Sequence, residues 1–203
     1  MAKDASATTD NRPDTDGRSE TADRILDLVQ ERIQRRGYNA VSYGDLAEDL
    51  DLTTAAIHYH FPSKADMVEA LVRRYRQQSA AMRKALLEEH DTLVGRLEEY
   101  VQRFSSPLRR GGLCLCGVLA ADESTLPEEF QQEVRQFFEE HENWLAEVIE
   151  TGVTDGGNLQ GCDTPRDVAR VFLATIEGAM LTSPDRSPEA YTETLQLLVD
   201  SIA

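Results

Sequence analysis

The chain is poor in the features that mark secreted, membrane-spanning and metal-bound proteins. It has three cysteines in 203 residues. Cys114, Cys116 and Cys162 form no CxxC pair and no regular spacing, which argues against a disulfide framework or a zinc site. No apolar run approaches the length of a membrane span. Met1–Arg18 has no apolar stretch of the kind a signal peptide needs. It is rich in Asp, Thr, Ala and Ser and reads as a disordered tail. These absences point to a soluble protein of a reducing cytoplasm, with no membrane partner, no metal and no cofactor. A strand-like alternation of apolar and polar residues is missing as well, which leaves an all-α chain.

A surplus of positive charge is also lacking. The formal net charge is −16, although 40% hydrophobic and 29% charged residues are ordinary for a globular protein. The imbalance is uneven. Residues 1–17 carry a net charge of −2, residues 18–76 of −1, and residues 77–203 of −13. Only three of the 21 basic residues are lysines, Lys3, Lys64 and Lys84. Acid surplus with scarce lysine fits a protein from a salt-loving organism. It equally fits a high-GC genome with a solvated acidic surface. The near-neutral segment is the one where a nucleic acid could be approached, with Arg35, Arg36, Lys64, Arg73, Arg74 and Arg76 as a candidate positive rim.

What is present is concentrated between Tyr38 and Lys64. Ser42 can cap a helix whose apolar positions are Leu46, Ala47 and Leu50. Asp51 follows at a turn, where Asp tolerates the left-handed conformation better than most residues. Thr53 or Thr54 can cap a second helix. Ile57 and Phe61 lie four apart on one face of it, leaving Thr54, Ala55, His58 and Tyr59 on the other. Pro62 stops that helix, and Ser63-Lys-Ala-Asp66 fits a capping box for a new one. The layout is a helix-turn-helix, which places its second helix in the major groove of DNA.

The ordered run Gly37-Tyr38, Asp45-Leu46-Ala47, Leu52 and Ile57-His-Tyr-His-Phe-Pro-Ser-Lys64 closely resembles the DNA-binding domain of TetR-type (tetracycline-repressor-like) transcriptional regulators. The resemblance is specific over residues 20–75 and architectural beyond. It implies an all-α fold: a three-helix DNA-binding domain over 19–64, and a helical ligand-binding and dimerisation domain over 65–203. It implies a homodimeric repressor, not an enzyme, that leaves a palindromic DNA operator when a small-molecule effector binds or a cysteine is modified. By resemblance, Thr53, Thr54, Ala55 and Ala56 contact bases or backbone. Tyr43, His58, Tyr59, His60 and Lys64 contact mainly phosphates, and Ser42 completes the DNA-facing set. The chemistry agrees, since hydroxyls and Lys suit phosphate oxygens and small residues let a helix approach base edges. Two departures stand out. Asp51 occupies a turn position that is usually Gly, and no Lys or Arg stands near Gly44 or Thr54.

Beyond the motif the periodicity predicts helices over Ser19–Arg36, Ala65–Glu89, Asp91–Phe104 and Leu113–Asp122. Others are predicted from Leu126 to about Val153, from Pro165 to about Leu181, and from Pro188 to Ile202. The first of the last two carries small residues (Ala174, Gly178, Ala179) beside large apolar ones, and by resemblance the two helices form a four-helix bundle with a second copy. A ligand pocket is expected from Tyr100, Phe104, Cys114, Phe137, Trp144 and Phe172, which serve equally as core. Gly111-Gly-Leu-Cys-Leu-Cys-Gly117 resembles a helix start in family members that sense electrophiles or oxidants. Cys114 falls on their cysteine, and its place near Arg109 and Arg110 predicts a depressed thiol pKa. The alternative is an inert packed thiol.

Two other classes compete with this reading. Cys114 or Cys116 with His90 or His141 would make a nucleophile–base pair, but no spacing supports it. A dimeric interaction protein without DNA binding is favoured only by the missing basic residue near Thr54.

Overall fold

The structure, a computed structural model, describes residues 15–122, 126, 128–152 and 161–202. The described residues hold helices and no strand. The tail expected over 1–18 lies outside the described residues as far as Asp14. From Thr15 the chain is already helical, so α1 (Thr15–Arg36) begins four residues before the expected Ser19. Its stripe of Ile25, Val29 and Ile33 is fully buried.

The turn after α1 uses Gly37 at φ 84°, a conformation that a side chain would strain. α2 (Tyr43–Leu50) starts at Ser42, whose hydroxyl accepts from the Asp45 N–H. Asp51 ends it in the left-handed region at φ 54° and ψ 46°. α3 (Thr54–His60) is capped by Thr53, whose hydroxyl accepts from the Ala56 N–H. Leu46, Ala47, Ile57 and Phe61 close the small core against α1.

α4 (Lys64–Glu89) opens on the full Ser63/Asp66 capping box and runs from the head into the body. Around it lie α5 (Leu93–Phe104), α6 (Leu115–Ala121), α7 (Glu128–Gly152), α8 (Pro165–Thr182) and α9 (Pro188–Ile202). α6 is shorter than the predicted Leu113–Asp122, with Cys114 at its cap. α8 is set by the Thr164-Pro165-Arg-Asp167 start, a capping box with Pro in the first turn. α7 packs along α4, α5, α6 and α8, and α9 packs on α5 and α8. The largest buried side chains of the body, Tyr100, Phe130, Phe137, Phe172 and Tyr191, lie between these helices. No described helix is long and apolar enough to cross a membrane.

Head and body meet along a hydrogen-bonded seam. The Leu113 N–H donates to the Gln34 carbonyl at 2.9 Å, and Arg35 Nε donates to the Arg110 carbonyl at 2.8 Å. The Tyr38 N–H donates to Asp122 Oδ2 at 3.1 Å. Within the body, Arg186 Nη1 holds the Gly111 carbonyl beside this seam at 2.6 Å.

Candidate DNA interface and buried ring cluster

α3 is pinned by one face and open on the other. Ile57 is fully buried, while Thr53, Thr54, Ala55, His58 and Tyr59 are exposed and Ala56 and His60 are half-buried. Tyr59 keeps 64% of its surface in solvent, unusual for so large a ring. Around it the rings are ordered. Tyr43 stacks on His58, with centroids 4.1 Å apart and planes 13° from parallel. The Tyr43 hydroxyl donates to the Phe61 carbonyl at 2.8 Å, locking the start of α2 to the end of α3. His58 Nδ1 lies 3.2 Å from the Pro62 carbonyl, which can only accept, so that nitrogen carries the proton. The Lys64 ammonium sits 4.0 Å over the Tyr38 ring. Partial burial draws its pKa below the ordinary lysine value. All ten residues assigned from sequence to the DNA-facing set fall within the segment from Ser42 to Lys64, carried by α2, α3, their caps and the first residue of α4.

The predicted positive rim is different from the expectation. Arg73 pairs with Glu69, Arg74 with Asp23 and Asp27, and Arg35 with Glu31. Arg76 is drawn into the body by Glu133 and Glu140. Arg74 ties α4 to α1 and Arg76 ties α4 to α7, while Arg35 and Arg73 pair along their own helices. The acids crowded on α2 are likewise answered from within: Arg32 of α1 bonds Asp49 at 2.6 Å and Asp45 at 3.5 Å. Local spacing offers only the i, i+4 pairs Arg35–Glu31 and Arg73–Glu69; the partners of Arg32, Arg74 and Arg76 come from other helices.

In the body, Tyr100, Phe104, Cys114, Phe137, Trp144 and Phe172 are all buried. Tyr100 is the hub of the rings, with Trp144 stacked at 5.1 Å, Phe104 at 4.9 Å and Phe172 at 6.3 Å. His141 lies against Phe137 at 4.3 Å and Phe104 at 5.3 Å. Both of its nitrogens are engaged. Arg83 Nη1 donates to Nε2 at 2.9 Å, with Ser79 Oγ 2.6 Å from the same atom. Nδ1 then carries the proton toward the Tyr100 oxygen at 2.6 Å. Burial first, and the Arg83 charge second, hold this imidazole neutral by pushing its pKa well below 6.5. Neither nitrogen faces a thiol, so the Cys–His pair considered from sequence does not form at His141.

Cys114 corrects a physical expectation. It is fully buried, and burial, with the Glu177 carboxylate and Cys116 after it, pushes its thiol well up rather than down. Arg109 and Arg110 turn away: Arg109 reaches Gln102 at 3.3 Å, and both stay exposed. All three cysteines are free, Cys114 and Cys116 buried and Cys162 half-buried. Sequence reasoning missed Glu177 of α8, which meets Cys114 across the domain. Burial lifts its carboxyl from 4.5 to about 7. Among the described residues, no group of His, Cys, Asp and Glu is placed to hold a metal ion.

The head thus presents a braced, outward-facing helix after a tight turn, and the body encloses a ring-lined interior with polar groups. That arrangement defines a helix-turn-helix regulator. The profile of the bacterial regulatory proteins of the tetR family matches residues 25–71. A TetR-family transcriptional regulator from Agrobacterium tumefaciens is 31% identical, with a TM-score of 0.84 over 92% of this chain and 99% of that one. The chain belongs to the TetR family of transcriptional regulators. It is also similar to a putative transcriptional regulator from Saccharomonospora viridis solved in complex with choline. That structure is 27% identical, with a TM-score of 0.71 over 90% of this chain and 96% of that one. The HTH-type transcriptional repressor KstR2 of Rhodococcus jostii is 24% identical over 94% of this chain and 95% of its own length.

Proposed function

We propose that the chain is a cytoplasmic, homodimeric repressor that reads a palindromic operator through residues 42–64 and releases it when a small molecule enters the body. Residues 19–64 form the DNA-binding unit and 65–203 the effector-binding and dimerising unit. The observation that carries this reading is the outer face of α3. Thr54, Ala55, His58 and Tyr59 stand exposed on a helix whose inner face is locked by Ile57 and Phe61. A rigid element with small residues, a hydroxyl and ring edges outward suits the major groove.

Dimerisation is supported by a second exposed row. Val171, Ala174, Gly178 and Leu181 follow one face of α8, and Leu197 stands on α9. Leu181 and Leu197 keep 71% and 74% of their surface in solvent, an apolar face that a second copy would cover. Ala179, grouped with Ala174 and Gly178 from sequence, turns inward and is buried.

The ring-lined interior supports a non-covalent effector, and the choline complex of the Saccharomonospora relative supports a small one. Release through modification of Cys114 has less support, since the thiol is buried and its ionisation opposed. Selection from random duplexes, followed by gel shift, tests the DNA reading. An enriched inverted repeat is expected. Lys64→Ala should weaken binding to every duplex alike, whereas changes at Thr54 or Ala55 should alter the enriched sequence. Enrichment of no motif at any salt concentration would overturn it.

A further inference from the structure

A cleft of about 200 Å³ lies at the seam between head and body. Gln30 and Gln34 of α1 form one wall, α4 forms a second, and the end of α5 with the turn after it forms a third. Two kinds of surface meet there. Tyr75, Met82, Phe104 and Pro107 are apolar. Gln34, Arg103 and Arg110 offer N–H donors, and no Asp or Glu stands among the described residues that line the cleft.

Gln34 is the anomaly on this wall. It keeps 4% of its surface in solvent, and its Nε2 is buried with no hydrogen-bond partner among the described residues. Leaving a buried amide donor unmatched is costly, and folded proteins pair nearly all such groups. The backbone of Gln34 is fixed. Its carbonyl accepts from the Leu113 N–H at 2.9 Å, and a Cβ added at Gly112 would come within 3.0 Å of the Gln34 Cβ. Arg110 supplies charge beside it. Its guanidinium is exposed and makes no ion pair with a described residue. Arg103, the second cation of the wall, is held by Glu89 and Glu99. Asp27 and Glu31, which adjoin the cleft beyond Gln34, are bonded to Arg74 and Arg35.

We propose that this cleft is an effector site for a small organic carboxylate. Its oxygens accept from Gln34 Nε2 and the Arg110 guanidinium, and its apolar part lies against Tyr75, Met82 and Phe104. A hydrocarbon would leave the buried amide unmatched. An ammonium ion would face two guanidinium groups. An inorganic anion would leave the apolar wall uncovered. Both anchors also carry the seam through their main chain, since the Arg110 carbonyl accepts from Arg35 Nε at 2.8 Å and the Gln34 carbonyl from Leu113. A carboxylate drawn between them therefore pulls on the contacts that set the head against the body. This inference rests on the reading of the chain as a regulator released by a small molecule, and it names the effector's class and a place for it.

Benzoate, phenylacetate and hexanoate would be titrated into the full-length protein by calorimetry at neutral pH. Benzamide serves as an uncharged molecule of the same shape, and sulfate as an anion without an apolar part. Saturable binding of a carboxylate, with neither control matching it, is the expected result. Arg110→Gln should weaken that carboxylate roughly tenfold or more, the scale of a charge-assisted contact. Arg109→Gln should leave it unchanged, because Arg109 lies outside the cleft and reaches Gln102. The bound carboxylate should also lower affinity for the selected operator in a gel shift. Equal binding of benzamide or sulfate, equal affinity in Arg110→Gln, or no saturable binding of any of the three carboxylates would each overturn the assignment, as would binding that leaves operator affinity unchanged. The benzamide and sulfate comparisons use the unaltered protein, so they stand even if a variant folds poorly. The titration needs no DNA. A failed titration in protein that still shifts its operator without any carboxylate overturns this assignment and leaves the operator-binding reading in place.

Discussion

At the scale of single residues, Glu177 makes stability depend on pH in an unusual direction. Its carboxyl holds a proton up to about pH 7 in the folded chain, against an ordinary value of 4.5. Between those values the folded state binds the extra proton, so stability falls as pH rises and levels off above pH 7. The span corresponds to roughly 3 kcal/mol at most. Tyr75 of α4, Tyr100 of α5, Cys114 and Cys116 of α6 and Tyr191 of α9 face this carboxyl, and all stay neutral through that range. Glu177→Gln should therefore match the native chain near pH 4.5 and exceed it at pH 8. Urea unfolding at the two pH values checks this, and equal differences at both would contradict it. His141 loses stability toward acid, where the unfolded imidazole takes a proton that the folded one refuses. It is present in both proteins and cancels from the comparison.

At the scale of elements, the turn between α2 and α3 carries a cost that the family usually avoids with Gly. Asp51 is held at φ 54°, where a Cβ crowds the following carbonyl. Its N–H is spent on the Ala47 and Glu48 carbonyls, so the turn cannot relax without losing a cap. Asp51→Gly should keep or slightly raise the melting temperature. Asp51→Val should lower stability by about 1–2 kcal/mol, the left-handed cost for an ordinary residue, with DNA affinity falling alongside. Thermal melts of the two variants decide it. This turn was legible in the sequence, as were the caps at Ser42, Ser63 and Thr164, because each signal lies within four residues of its effect. α1 was read too short because its first turn, Thr15–Arg18, is polar and shows no apolar period. The interior was only half legible. The rings of the body could be named, but Glu177 meets Cys114 and Gly117 from a distant part of the chain. Nothing in local spacing brings an isolated acid on α8 to a thiol on another helix. Arg74 and Arg76 misled for the same reason, since their acidic partners sit on other helices.

At the scale of the whole molecule, the outward row on α8 makes assembly separable from folding. A Cβ at Gly178 would meet nothing within 4 Å. Gly178→Arg should therefore fold with an unchanged helical signal, while a charge placed in the proposed dimer face blocks association. Sedimentation should show a folded monomer, and an intact dimer would place the interface elsewhere. The seam between head and body works on another principle. Of its bonds, the Leu113–Gln34 link joins main chain to main chain, and the Arg35 link ends on the Arg110 main-chain carbonyl. A main-chain acceptor survives every substitution at its own position. The body can therefore exchange its interior side chains across evolutionary time while the head stays docked in the same place. Diversity of sensing and constancy of reading are then inherited separately, within a single short chain.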